Sequence, residues 1–222
     1  MRFRIDVKIF LFLILFYLTK QIEIYTMIMI FALIHELGHL FVGLMMRMKP
    51  QKLEIMPFGV SIAFKINPKD YNKKIKNGNM LNMKKIMVAI AGPLTNLIII
   101  VITYNLKIDI IKAMMIIYTN LLIILFNFLP IYPLDGGRIL KEFIHIIQGK
   151  RKSEDSINNI SIITTIIMTA IGSILILYLK NIAIFIIIMY LWYLVLKENS
   201  RYLNKKKIYD KIEKINIDNT WK

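Results

Sequence analysis

Six stretches of the chain, roughly 5–22, 25–46, 84–105, 110–132, 160–179 and 182–196, are apolar over lengths that approach or reach the ~20 residues a helix needs to cross hydrocarbon. Inside a bilayer the backbone has no water to bond, so such stretches fold as helices that satisfy their own polar groups. The pattern predicts an all-α membrane protein, a polytopic bundle of about six transmembrane helices. Composition agrees, with 57% hydrophobic residues and a mean hydropathy of +0.57, outside the range of ordinary soluble domains. The opening "MRFRIDVKIFLFLILFYLTK" has the basic start of a signal peptide, but no small-residue cleavage site follows Leu18, and it reads as a retained anchor.

Charge orients the bundle, because Lys and Arg accumulate in cytoplasmic segments. With the N-terminus inside, all of the 30 Lys and Arg except Lys20, Lys107, Lys112 and Lys180 fall on the cytoplasmic side. Both termini are therefore expected in the cytoplasm. A net charge of +16 in a soluble chain would suggest nucleic acid. On leaflet-facing loops it is explained by anionic lipid, so the expected partner of this charge is the bilayer and no nucleic acid.

The expected organisation is one membrane domain over 1–196, with core spans near 25–46, 84–105 and 110–137, and a basic cytoplasmic tail over 197–222. In the long loop 47–83, "KLEIMPFGVSIAFKI" reads as a short membrane-associated β-hairpin turning near Pro57 to Gly59, or as a plain interfacial loop. Tyr202, Ile208, Ile212 and Ile215 recur near the helical period, which fits an interfacial amphipathic helix; a disordered tail is the alternative.

The second span, "IFALIHELGHLFVGLM", carries His35, Glu36 and His39 where ionisable groups are costly to insert. Four residues apart on a helix, the two imidazoles share a face and can ligate one ion. Glu36 lies about 100° round from His35, on the flank where a general base for an attacking water belongs. A catalytic zinc takes three protein ligands and keeps a fourth position open. The chain has no Cys, and its third histidine, His145, lies in a mixed segment where an interfacial position is expected, so the third ligand should be a carboxylate. Asp135 in "NFLPIYPLDGGRIL" is the candidate, beside Pro130 and Pro133, which break the fourth span, and Gly136 and Gly137, which allow a bend. The other reading of Asp135 is a cap for a helix beginning at Gly136. Asn127 reads as a contact for substrate backbone or oxyanion. Asn96, in "AGPLTN", is open between that role and interhelical hydrogen bonding.

His35-Glu36-Leu37-Gly38-His39, together with Asn127-x-x-Pro130-x-x-x-Leu134-Asp135-Gly136, resembles the site-2 protease family of intramembrane zinc metalloproteases, and "AGPLTN" and "PLDGGRIL" resemble its sporulation branch. The resemblance implies His35, His39 and Asp135 as ligands of zinc, Glu36 as catalytic base, and Asn127 and Pro130 as substrate contacts. It implies that a hairpin over 53–66, with Phe58 and Gly59 at its turn, aligns an extended substrate by strand addition. It also implies a membrane-associated protein substrate such as a pro-sigma factor, and inhibitory membrane partners. The C-terminal tail is expected to be too short for the CBS domain that many sporulation-type members carry, and no space for a PDZ domain is expected. A metal transporter would explain ligands in a membrane but gives Glu36 no role. A pseudoprotease should have lost a ligand or the base, and this chain retains all of them.

Overall fold

A computed structural model describes residues 2–5, 22–56, 59–65, 75–106, 109–180 and 182–220, with scattered positions between 10 and 20. The chain divides into two compact units, Met1–Phe128 and Leu129–Lys222.

The first unit holds strand β1 (Arg2–Ile5), helix α1 (Ile22–Met45), strands β2 (Lys49–Met56) and β3 (Gly59–Lys65), and helices α2 (Ile75–Asn105) and α3 (Ile110–Asn127). β2 and β3 are the two arms of the expected hairpin and pair antiparallel from Lys49↔Lys65 to Met56↔Gly59, with an irregularity between Pro50 and Lys52. Gly59 opens β3; Pro57 and Phe58 lie outside the described residues. The hairpin is only part of the sheet, because β1 adds to it in parallel, Arg2↔Lys52 through Ile5↔Ile55, giving the order β1-β2-β3. This corrects the reading of the N-terminus at its first residues, where Ile5 ends a strand rather than starting a span. Most of 6–21 lies outside the described residues.

α1 packs against α2, α3 and the β3 strand. Its exterior carries Leu33, Leu37, Phe41 and Leu44, all exposed, while His35 and His39 are buried. Apolar residues outward and polar residues inward is the arrangement a bilayer favours and the inverse of a water-soluble helix. The helix stops at Arg47, whose φ of 58° turns the chain left-handed while Met48 N–H reaches back to Gly43 O at 2.9 Å. A Cβ on Gly43 would strike the Phe64 ring, so that glycine lets β3 lie against the helix end.

The second unit holds α4 (Asp135–Gln148), α5 (Lys150–Leu179) and α6 (Ile182–Thr220). α5 packs on both of the others. Ile188 of α6 fills the place where Gly172 of α5 has no side chain, and Trp192 Nε1 donates to Thr169 Oγ1 at 2.9 Å. The basic tail is not disordered: α6 continues through it to Thr220, tied to α5 by Tyr202–Asp155 and Lys205–Glu154.

Four helices among the described residues are long and apolar enough to cross a membrane: Ile22–Met45, Asn79–Asn105, Ile110–Asn127 and Lys150–Tyr178. These correspond to the second through fifth expected spans, except that the fourth ends at Asn127 and does not continue toward 137. Phe128 N–H closes α3 on Ile124 O, an irregular segment follows, and a separate helix starts at Asp135.

Candidate functional site

One turn apart on α1, His35 and His39 are 3% and 2% exposed, and their rings meet edge to face with centroids 4.8 Å apart and planes at 87°. A neutral imidazole presents a lone pair on one nitrogen only, so the partner of the other nitrogen decides whether it can bind metal. His39 Nδ1 lies 2.6 Å from the backbone carbonyl of Val88 on α2. A carbonyl only accepts, so Nδ1 carries the hydrogen and Nε2 carries the lone pair. The Gly92 N–H, 3.2 Å from the same Nδ1, is the longer contact and yields to this assignment.

His35 is fixed the same way through two amides. Its Nδ1 lies 2.7 Å from Asn96 Oδ1, and Asn96 Nδ2 donates in turn to Asn120 Oδ1 of α3 at 2.9 Å. Asn96 and Asn120 are both fully buried. Asn96 therefore makes interhelical hydrogen bonds, to His35 of α1 and Asn120 of α3, which is the second of the two roles that sequence left open. Asn120 was not singled out from sequence. The available signal was an amide in the otherwise apolar run "IIYTNLLIILF", where a polar side chain needs a partner.

Both Nε2 atoms converge on Gly92 of α2. A Cβ built there would stand 2.5 Å from His35 Nε2 and closer still to the edge of the His39 ring. Any side chain at 92 would occupy the space in front of both lone pairs, so the position requires glycine. Gly38, between the two histidines, lets the helices approach: its missing Cβ would overlap Thr95 Oγ1, itself held by Ala91 O at 2.8 Å. Glu36 is half-buried, with Oε2 shielded from solvent.

In the second unit Asp135 is 3% exposed and lies in the first turn of α4, where the helix dipole favours a carboxylate; Arg138 Nη1 is 3.6 Å from its Oδ1. The capping reading is overturned, since Leu134 is the N-cap and Asp135 is already helical. The expected bend at the double glycine is also corrected. Gly136 and Gly137 are both helical, and Gly137 instead makes room for the preceding segment, whose Ile131 carbonyl oxygen and Tyr132 nitrogen would each lie 2.5 Å from a Cβ there. That segment, which includes Pro130, is anchored by Tyr132 N–H donating to Ser161 Oγ at 3.0 Å, while Ser161 donates to Ile157 O at 2.7 Å.

Asn127 ends α3 half-buried, its Nδ2 bonded to Ile123 O at 3.0 Å. His145 is partly exposed on α4, 3.7 Å from Glu142. Two neutral imidazoles with their lone pairs aimed at one protected space, and a buried carboxylate on a separate helix, are a donor set that suits zinc.

Residues 23–111 and 106–172 match peptidase family M50. The chain is 30% identical over 157 residues to a zinc metalloprotease of Methanocaldococcus jannaschii, a match covering 67% of this chain and 42% of that protein. It is 28% identical over 127 residues to stage IV sporulation protein FB of Bacillus subtilis, covering 55% and 41%. The chain thus spans about two-fifths of the length of these curated relatives. Its fold is similar to that of a site-2 protease from Methanocaldococcus jannaschii, with a TM-score of 0.61 at 21% identity, covering 87% of this chain and 88% of the other. The His35-Glu36-x-x-His39 helix, the Gly92 to Asn96 turn against it and the Asp135 segment all fall within the family match, and the chain belongs to peptidase family M50.

Proposed function

We propose that the chain is an intramembrane zinc metalloendopeptidase that cuts a membrane-associated protein near the cytoplasmic face. The observation that carries this reading is the convergence of two buried imidazole lone pairs on the space that Gly92 leaves empty, one residue from a carboxylate. His35 and His39 would hold the metal through Nε2, with Asp135 as third ligand. Zinc bound there supplies a Lewis acid and an acidified water. Glu36 takes the proton of the attacking water and returns it to the amide nitrogen that leaves, so the peptide C–N bond breaks as a C–O bond forms. The half-buried setting of Glu36 keeps bulk water away from that exchange.

Substrate would arrive extended and add a strand to the sheet. In the order β1-β2-β3 the inner strand β2 is paired on both sides, and among the described residues β3 of the hairpin, like β1, is an edge strand that can offer main-chain hydrogen bonds. Phe58, Gly59, Asn127 and Pro130 would contact the bound segment. The topology is that of the charge distribution, with both termini cytoplasmic.

The finer reading is release of a membrane-associated sigma factor during sporulation, controlled by inhibitory membrane proteins. Its support is the likeness to a Bacillus subtilis protein named for stage IV of sporulation and the resemblance of "AGPLTN" and "PLDGGRIL" to the sporulation branch. Co-expression with the membrane-associated pro-sigma factor of the same genome, wild type against Glu36→Gln, tests both levels. Cleavage by wild type alone is expected, with zinc retained in Glu36→Gln. Absence of zinc from wild type and from Asp135→Ala alike would overturn the metalloprotease reading, whereas zinc without cleavage would overturn only the sporulation substrate.

A further inference from the structure

We infer that Asn120, on a different helix from every proposed metal ligand, is a positioning residue that selects the metal-binding tautomer of His35 by orienting the amide of Asn96. This rests on the metal-site reading above and deepens it.

The orientation propagates from a group that cannot be reversed. Ile116 O is a backbone carbonyl, so the Asn120 atom 2.9 Å from it must be Nδ2. The oxygen of Asn120 therefore faces Asn96 and accepts from its Nδ2 at 2.9 Å. That in turn presents Asn96 Oδ1 to His35 Nδ1 at 2.7 Å, and an acceptor there requires the hydrogen on Nδ1 and the lone pair on Nε2. Reversing the Asn96 amide would set oxygen against oxygen at Asn120 and offer an N–H to His35 Nδ1. The second change favours the tautomer with its hydrogen on Nε2, which faces the space beside Gly92 and excludes a metal. Both amides are fully buried, so water does not substitute for either partner. His39 needs no such relay because Val88 O, a backbone carbonyl, sets its tautomer directly.

With Leu at 120, Asn96 Nδ2 loses its acceptor. A buried N–H left unpaired is costlier than a buried carbonyl oxygen left unpaired, so the amide reverses to give its N–H to His35 Nδ1. Metal binding must then undo that reversal, and affinity should fall about 10- to 100-fold, as is usual when an outer hydrogen-bond partner of a metal-binding histidine is removed. An aspartate at 96 changes the outcome, because both of its oxygens accept and it has no wrong orientation. In the Asn96→Asp background, the further change Asn120→Leu should cost nothing.

The test is zinc affinity, measured by competition with a chromophoric chelator on the purified full-length chain in detergent, for wild type, Asn120→Leu, Asn96→Asp and the double variant. The expected pattern is a 10- to 100-fold loss in Asn120→Leu that disappears when position 96 is Asp. An equal loss in both backgrounds would make Asn120 a packing residue and overturn the relay while leaving the metal site intact. Wild-type affinity in Asn120→Leu would also overturn it. A wild-type chain that binds no zinc, with His35→Ala unchanged, would overturn relay and metal site together.

Discussion

Gly92→Ala tests whether the space between α1 and α2 exists for a metal. The added Cβ would stand 2.5 Å from His35 Nε2 and nearer still to the His39 ring, where ordinary contact begins at 3.4 Å. The imidazoles must therefore withdraw by roughly 1 Å. They are not free to do so, since their Nδ1 atoms are bonded at 2.7 and 2.6 Å to Asn96 and Val88. Retreat by that amount would stretch both bonds past the ~3.2 Å limit of a useful hydrogen bond. Metal–ligand distances tolerate only about 0.2 Å. Zinc affinity is thus expected to drop at least ~100-fold. Overpacking of this size costs about 1–3 kcal/mol of stability, against which Ala in place of Gly inside a helix returns up to ~1 kcal/mol. The variant should therefore fold and yet purify without metal. Elemental analysis with chelator competition reads the metal, and circular dichroism with size-exclusion chromatography reads the fold. Stoichiometric zinc at wild-type affinity would refute the argument, because it would mean that the rings do not meet at Gly92.

Two further predictions concern the second unit. Ser161→Ala removes the acceptor of Tyr132 N–H, in the segment that leads into Asp135; a loss of about 1–3 kcal/mol is expected for the stranded donor, read by chemical denaturation, and no change would show that the segment is held elsewhere. The Tyr202 phenol donates to Asp155 at 2.6 Å, and that bond, with burial and the Asp155 and Asp210 charges, raises its pKa from 10.0 to about 12. Since the folded-state value is the higher, the stabilising contribution is complete below pH ~10 and is lost as pH climbs through about 12. Tyrosinate absorbance of wild type minus Tyr202→Phe should show this late ionisation, and Asp155→Asn should bring it back toward 10; an unchanged titration in Asp155→Asn would refute the assigned cause.

What sequence revealed and what it concealed follow from how local each feature is. The His35-Glu36-x-x-His39 spacing, four of the spans and the two arms of the hairpin are set by period and neighbour, so they are readable along the chain. β1 is not readable in this way. Arg2–Ile5 reads as the start of an apolar anchor, and only its pairing with Lys52–Ile55, some fifty residues on, makes it a strand. The double glycine after Asp135 suggested a bend by residue type alone, yet Gly137 works by absence of volume, because the Ile131–Tyr132 backbone runs against it. Asn120 escaped notice because an amide's direction depends on which atoms face it, and sequence does not carry that information.

The glycines at the site connect packing to chemistry. Apolar surface gives transmembrane helices little reason to associate, since lipid tails are as apolar as Leu; close backbone approach through small residues supplies much of the attraction. Gly38 on α1 and Gly92 on α2 provide that approach, one accommodating Thr95 and the other the two imidazoles. The same closeness lets His39 reach a main-chain carbonyl of α2 at 2.6 Å, which a longer interhelical distance would forbid. Pro93, next to Gly92 within α2, removes one N–H from the helix ladder at this point, so the backbone there is already less self-satisfied than in an unbroken helix. Helix association and preparation of the metal ligands are then a single event: separating α1 from α2 would expose both histidines to the wrong tautomer at the moment it exposed their polar nitrogens to lipid. An enlarged side chain at 38 or 92 should therefore disturb both metal binding and helix packing, with metal binding the more sensitive, whereas substitutions at the exposed residues Leu37 or Phe41 should weaken neither.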